Sequence, residues 1–141
     1  MGDITLNISQ HELNCKGGHV CDCEVTIDRR SPVIQYWQDC CDFFAHKYGV
    51  NKVSLVITSA ARCFVWNRYP TDKGGPGSND NSRHPRCDAI DGQVFVGSHQ
   101  VAPEEIYNYF NARFPKSFGV GLYETFTHFD TRPWKARWGK S

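Results

Sequence analysis

The sequence contains no apolar run that approaches the roughly 20 residues of a membrane-spanning helix. It also has almost no excess of charge of either sign, since 16 basic and 15 acidic residues give a formal net charge of +1. This balance argues against a general attraction to nucleic acid or to an anionic membrane surface. The N-terminus shows no basic region followed by an apolar stretch, so we expect synthesis in the cytoplasm without a secretory signal.

Cysteine is frequent, at seven residues, but the cysteines do not form a CxxC pair. In a chain without an export signal, this odd number predicts reduced thiols rather than a disulfide framework. Cys15, Cys21 and Cys23, with His19 between them, are candidates for binding a second metal ion. The alternative is a glycine-containing loop whose thiols have no partners.

The chain has the length of one domain, and no internal repeat divides its 141 residues. Two helices are predicted, one from Ser31-Pro32 to Gly49 and one that opens at Ala102-Pro103. Strands are predicted over residues 52–59, 89–96 and, as one or two strands, 119–130. Residues 1–30 are expected to form an irregular arm, and the composition of residues 66–83 predicts a long loop. Because helices and strands do not alternate regularly, we predict an α+β fold.

Three side chains suited to zinc stand in or beside the predicted strands: His84, Asp91 and His128. Two neutral imidazoles and one carboxylate leave the fourth tetrahedral position open for water, as a hydrolytic zinc site requires. A histidine in a loop is more often a solvated surface group. The alternative to a zinc centre is therefore three unrelated polar residues.

Two acidic residues near the last of these ligands are candidates for proton transfer. Alternate side chains of a strand share a face, so Glu124, His128 and Asp130 are expected on the same side. Such an acid could act as a general base, or it could hydrogen-bond a ligand imidazole and fix its tautomer. Arg62 directly follows a strand and could hold a substrate carboxylate or form a structural ion pair.

These residues resemble the D-Ala-D-Ala-type zinc peptidases, which cut peptidoglycan peptides. That family includes D-alanyl-D-alanine carboxypeptidases, phage endolysins and the related hedgehog signalling domains. Ser82, His84, Ala89 and Asp91 match its motif S-x-H-x-x-G-x-A-x-D, with Cys87 in place of the glycine. A second motif, G-x-G-x-Y-x-x-F-x-H-x-D-x-R, is matched at Gly119, Gly121, Tyr123, Phe126, His128, Asp130 and Arg132.

The resemblance also covers residues 59–62, which are similar to the family's S-G-x-R segment, and residues 9–15. It implies one zinc peptidase domain over residues 1–141, with a central antiparallel sheet flanked by helices as in the hedgehog-type fold. It further implies one catalytic zinc ion bound by His84, Asp91 and His128.

The substrate-binding residues that the resemblance implies are Arg62, Ser82 and Tyr123. Several family members carry the catalytic acid three residues before the last ligand, where this chain has Thr125. We therefore expect Asp130 to be the base, with Glu124 as the second choice.

The expected function is that of a monomeric zinc peptidase that hydrolyses bonds next to D-alanine in peptidoglycan. It would act at the cell wall or in the periplasm, as a carboxypeptidase or endopeptidase, in phage lysis or wall remodelling. If neither acid serves as base, the alternative is a catalytically silent zinc module that binds wall peptides or a protein partner. The basic residues 131–141 leave nucleic-acid binding open, although the near-neutral charge disfavours it.

Overall fold

The computed structural model describes residues 2–139. Met1 of the expected N-terminal arm, and Lys140 and Ser141 of the basic C-terminal segment, lie outside the described residues. The three α-helices of the described part are α1 (Pro32–Lys47), α2 (Phe64–Arg68) and α3 (Pro103–Arg113). Its strands are β1 (Ser54–Ser59), β2 (Ala89–Val96), β3 (His99–Gln100), β4 (Gly119–Leu122), β5 (Thr127–Asp130) and β6 (Ala136–Trp138). Among residues 2–139, no helix has the length and apolarity needed to cross a bilayer.

The strands form one sheet in the order β1-β2-β5-β4-β6, with β3 paired to β2. The predicted α+β class is confirmed, but the purely antiparallel sheet is wrong, because β4 and β6 are parallel. The reason lies in the pairing of β5, which has β2 on one side and β4 on the other. The chain leaving β5 turns back and adds β6 at the edge beyond β4, and because β5 is antiparallel to β4, the returning strand is parallel to β4.

Helix α1 confirms the helix predicted from Ser31-Pro32 to Gly49. Pro32 occupies the first turn, where its missing N–H costs no hydrogen bond. The helix ends at Lys47, and Gly49 follows with a φ of 68°. The buried side chains of α1 recur at helical spacing and include Val33, Ile34, Trp37, Cys40, Cys41 and Phe44.

The core lies where α1 and α3 pack on the sheet. The rings of Trp37 and Phe110 are 5.0 Å apart at a steep angle, and Phe110 stacks on Phe129 of β5 at 4.0 Å. Gly92 of β2 lies below Trp37, and a Cβ at Gly92 would be 2.9 Å from the indole. Close approach of α1 to the sheet therefore depends on the missing side chain at residue 92.

Residues 66–83 are predicted to form a long loop, but they contain short helical elements. Helix α2 covers their start, and a single 3-10 turn follows at Thr71–Lys73. The Cys63 sulfur caps α2 by accepting a hydrogen bond from the Trp66 N–H at 3.3 Å. A helix of five residues makes little more than one turn, which is too short for an apolar period to reveal it.

Candidate metal centre

The register of the sheet places five residues in one row across five strands. Ser59 pairs with Asp91, Asp91 with His128, His128 with Gly121, and Gly121 with Trp138. Residues directly opposite each other on neighbouring strands present their side chains on the same face. Two of the predicted ligands, Asp91 and His128, are therefore side by side because β2 and β5 pair in this register.

His84 joins them from a 3-10 turn, His84–Arg86, that precedes β2. Its Nε2 lies 3.1 Å from Asp91 Oδ2, and His128 Nδ1 lies 2.8 Å from Asp91 Oδ1. The relative exposures of His84, Asp91 and His128 are only 3%, 4% and 5%. Their ligand atoms lie within 4.8 Å of one another, so they could hold a single metal ion.

The remaining ring nitrogens of the two histidines have partners that fix the tautomers a metal site needs. His84 Nδ1 lies 2.6 Å from the Ala60 carbonyl, to which it donates, so Nε2 is left with its lone pair. His128 Nε2 lies 2.6 Å from Asp130 Oδ2, which leaves Nδ1 facing Asp91. The donor set and its supporting hydrogen bonds therefore fit a zinc ion.

The charges of the centre are strongly coupled. Burial would raise the pKa of Asp91, but the two imidazoles hold it well below its usual range. Burial lowers the pKa of His84 and so keeps that ring neutral. Burial also opposes charge on His128, yet hydrogen bonds to Asp130 and Asp91 raise its pKa to about 9. In the metal-free protein His128 therefore carries a proton, which a cation bound at Nδ1 would displace.

The three ligands lie in an open cleft of about 570 Å³. Its walls come from the segment after α2, the turn that carries His84, the β4–β5 connection and β6. The lining residues that matter below are Arg62, Ser82, Arg83, Tyr123, Arg132 and Trp138. A peptide could reach the predicted metal position through this cleft.

Arg62 lines the cleft and is held on two sides. Its Nε donates to Ser59 Oγ at 3.0 Å, and its Nη1 donates to Asn67 Oδ1 at 3.1 Å. Its Nη2 lies 3.8 Å from Asp91 Oδ2, beyond hydrogen-bond distance. Arg62 is therefore fixed by neutral partners while Nη2 remains near the ligands, an arrangement that suits substrate binding.

Asn67 supports the cleft, a role that the sequence did not indicate. It is fully buried, and its Nδ2 donates to the Asn79 carbonyl at 2.9 Å while its Oδ1 accepts from Arg62. One asparagine thus connects the cleft arginine to the segment that forms the opposite wall. No sequence signal indicates such a role, because residues 66–83 are expected to be a loop and Asn67 lies in the short helix α2.

The structure does not bring either candidate base into the cleft. Asp130 is fully buried, accepts hydrogen bonds from Arg132 Nε and Nη2 at 2.8 and 2.7 Å, and contacts His128. Burial would raise the pKa of Asp130, but Arg132 and His128 hold it well below its usual range. Strand β5 begins at Thr127, so Glu124 lies in the turn before it and lines a different depression, beside Pro103.

Ser82 and Tyr123, the other predicted substrate residues, both line the cleft. The Ser82 hydroxyl accepts a hydrogen bond from the His84 N–H at 3.3 Å, which supports the turn that carries this ligand. Tyr123 is exposed, and its hydroxyl oxygen accepts from Trp138 Nε1 at 3.0 Å. The Tyr123 proton therefore stays available for a bound peptide.

The glycines of the second motif make room for these side chains. A Cβ at Gly119 would lie 2.4 Å from the Asp130 carboxylate, and one at Gly121 would lie 2.3 Å from the Trp138 ring. In the first motif, Cys87 has a φ of 59°, the left-handed conformation that glycine adopts most easily. Trp138, which the sequence did not single out, packs on the His128 ring at 5.0 Å.

The candidate second metal group has a different composition from the one expected. Cys15, Cys21 and Cys23 converge, but the fourth member is Cys63 rather than His19. His19 is exposed on a 3-10 turn. Spacing along the chain could not reveal Cys63, because it lies far downstream and is brought in by the fold.

A family model matches most of the chain. The family model described as Peptidase M15 matches residues 7–130, a span that includes Arg62 and all three predicted ligands. No curated protein and no solved structure gives a significant match. The match covers most of the chain and confirms, at the level of the family, the resemblance carried by the motifs. The chain belongs to the Peptidase M15 family.

Proposed function

We propose that this protein is a zinc peptidase that hydrolyses bonds next to D-alanine in peptidoglycan stem peptides, in phage lysis or wall remodelling. The observation that carries the proposal is the convergence of His84 Nε2, the Asp91 carboxylate and His128 Nδ1 in an open cleft. When bound there, zinc would polarise the scissile carbonyl and lower the pKa of a bound water to about 7.

Substrate binding is assigned to Arg62 and Tyr123. Arg62 Nη2 lies beside the ligands and can donate to a carboxylate or a carbonyl of the peptide. The Tyr123 hydroxyl can donate to a second carbonyl, because its oxygen is already occupied by Trp138. Arg83 and Arg132 also line the cleft, but each forms a salt bridge to an aspartate, Asp88 and Asp130 respectively, so they add little net charge to it.

Asp130 is assigned a positioning role in this proposal. Its contact with His128 Nε2 keeps Nδ1 directed at the metal position, and its salt bridge to Arg132 prevents it from turning into the cleft. A peptidase still needs a group that moves the proton from water to the leaving amine. Among the residues that line the cleft, Asp91 is the one carboxylate, and it is also a predicted ligand.

This shortage of acids favours a second candidate function, a zinc-containing module that binds wall peptides or a protein partner without cleaving them. The peptidase and the binding module differ only in whether the bound muropeptide is cleaved. The module would bind zinc and a muropeptide, and the muropeptide would be recovered intact.

The test is mass spectrometry of purified muropeptides after incubation with the protein. We expect loss of terminal D-alanine or of a cross-link, abolition of cleavage by a chelator, and recovery on addition of zinc. His84→Ala should be inactive, and His46→Ala, on the exposed side of α1, should retain full activity. Full cleavage by protein shown to be free of metal would overturn the proposal, and binding without cleavage would support the module.

A further inference from the structure

Four cysteine sulfurs converge outside the metal centre described above. The Sγ atoms of Cys15, Cys21, Cys23 and Cys63 lie within 4.8 Å of one another. Cys15 and Cys21 are 3.8 Å apart, and Cys21 and Cys23 are 3.5 Å apart. Four sulfurs placed tetrahedrally at about 2.3 Å from a zinc ion stand about 3.8 Å from one another. The cluster therefore has nearly the spacing of a four-thiolate zinc site.

The backbone around the cluster is folded tightly about the sulfurs. Gly17 is buried, and a Cβ there would lie 2.5 Å from Cys21 Sγ. Asp22 has a φ of 44°, a left-handed conformation that is uncommon for residues other than glycine. This conformation lies between Cys21 and Cys23 and turns both sulfurs towards the same point.

Backbone amides also face the sulfurs, as expected where thiolates are ligands. The Trp66 N–H donates to Cys63 Sγ at 3.3 Å. The backbone N–H of Val25 forms a hydrogen bond to the Cys23 sulfur. These donors favour the charged sulfur that binds metal.

The segment between Leu13 and Ile27 has little else to hold it in place. Leu13 and Ile27 are fully buried, whereas between them no hydrophobic side chain is buried and only Val25 is half-buried against the core. A single isolated bridge, Asn14 to Thr26, joins the two ends. A loop without a core of its own needs another source of order, and structural zinc ions supply it in small protein elements.

We propose that Cys15, Cys21, Cys23 and Cys63 bind a structural zinc ion, separate from the catalytic centre. Sulfur ligands in a closed tetrahedral set select zinc over cations that prefer oxygen. Cys63 directly follows Arg62, and the Arg62 N–H donates to the His84 carbonyl at 3.2 Å. The ion therefore attaches residues 14–26 to the backbone that carries the cleft arginine.

Metal analysis of protein purified under reducing, oxygen-free conditions tests this site. We expect two zinc ions per chain in the wild-type protein and one in the variant His84→Ala/His128→Ala. Cys21→Ser should keep only the catalytic ion. Cys87→Ser, which removes a half-buried thiol outside the four, is the matched control and should keep both.

Cobalt substitution distinguishes the two sites even if one of them lacks activity. Cobalt bound by thiolates gives intense near-ultraviolet charge-transfer absorption, which nitrogen and oxygen ligands do not give. This absorption should persist in His84→Ala/His128→Ala and disappear in Cys21→Ser. Because Cys21→Ser could fail to fold, a mercurial reagent added to folded wild-type protein provides a second test and should release one zinc ion.

Three results would overturn the site. The first is zinc content of one ion or fewer per chain together with absent thiolate absorption in the cobalt protein. The second is fewer than seven reactive thiols after denaturation of protein purified without oxygen and without added reductant, which would indicate a disulfide. The third is iron in place of zinc. Muropeptide cleavage plays no part in these results, so they are independent of the peptidase proposal.

Discussion

A buried aspartate sets the tautomer of His128, one of the three predicted metal ligands. Asp130 accepts hydrogen bonds from His128 Nε2 and from Arg132. Both of its carboxylate oxygens are therefore occupied by these two side chains rather than directed into the cleft. The sequence offered two roles for such an acid, general base and hydrogen-bond partner of a ligand. The geometry favours the second role, in which Asp130 acts on the metal affinity through His128.

Asp130→Asn separates these roles. An amide is a weaker acceptor than a carboxylate, so we expect zinc affinity to fall roughly 10- to 100-fold. Activity should then return when the zinc concentration is raised. Zinc titration against a competing chromophoric chelator and kcat at saturating zinc measure the two effects. Glu124→Gln is the control and should change neither, since Glu124 lies outside the cleft. Unchanged affinity with a lost kcat would instead make Asp130 the base.

The raised pKa of His128 predicts how the stability of metal-free protein depends on pH. The folded pKa is about 9, against about 6.5 in an unfolded chain. The stabilisation from protonated His128 is therefore full below about pH 6.5 and is lost as pH rises towards 9. Urea unfolding of chelator-treated protein should show decreasing stability from about pH 6.5 to about pH 8.5. His128→Gln should lack this decrease, and a wild-type curve that is flat or rising would contradict the assignment.

Among the secondary-structure elements, β6 has the largest unexpected influence on the site. The sequence did not predict this strand. Arg137 fixes this strand to the end of α3 by donating to the carbonyls of Phe114, Ser117 and Phe118. The next residue, Trp138, then lies over Gly121 and beside His128. A three-residue parallel strand thus supplies one wall of the cleft.

Gly121→Ala should displace Trp138, because the new methyl group would overlap its ring. Trp138 is only half-buried, so we expect the ring to move and the sheet to remain intact. Peptidase activity should fall about 10-fold or more, as misplacement of cleft groups by about 1 Å can do. Tryptophan fluorescence should shift while the circular dichroism spectrum does not. Gly97→Ala, at an open turn with a φ of 59°, tests for a general effect of removing a glycine. Equal loss in both variants would remove the specific role of Gly121.

At the scale of the whole molecule, the sequence predicted α1 and β2 almost to the residue. Their signals are local, since α1 has an N-terminal proline and apolar residues at helical spacing, and β2 contains Ile90, Val94, Phe95 and Val96, residue types that favour strands. The motifs predicted which three side chains meet. The sequence could not predict β6, Asn67 or Cys63, because their roles depend on contacts with segments distant in the chain. The position of Glu124 was mispredicted because the β4–β5 turn interrupted an alternation that the sequence suggested was continuous.

Three packed aromatic rings join α1 and α3 to the sheet. Removing the central ring should therefore lower the free energy of unfolding of the whole domain. Phe110 is fully buried between Trp37 of α1 and Phe129 of β5. Phe110→Ala should lower the free energy of unfolding by about 3–5 kcal/mol, measured by urea denaturation. Phe43→Ala, at an exposed aromatic position of α1, should cost far less. A small effect of Phe110→Ala would mean that the three rings do not form the central packing contact.

The pairing of Asp91 with His128 has a consequence for assembly of the sheet. A slip of one residue between β2 and β5 would turn Phe129 into the cleft and His128 into the core. A cation held by Asp91 and His128 adds its binding free energy only to the correctly paired strands. A metal ion bound there would therefore favour the correct pairing of β2 and β5 over the slipped one.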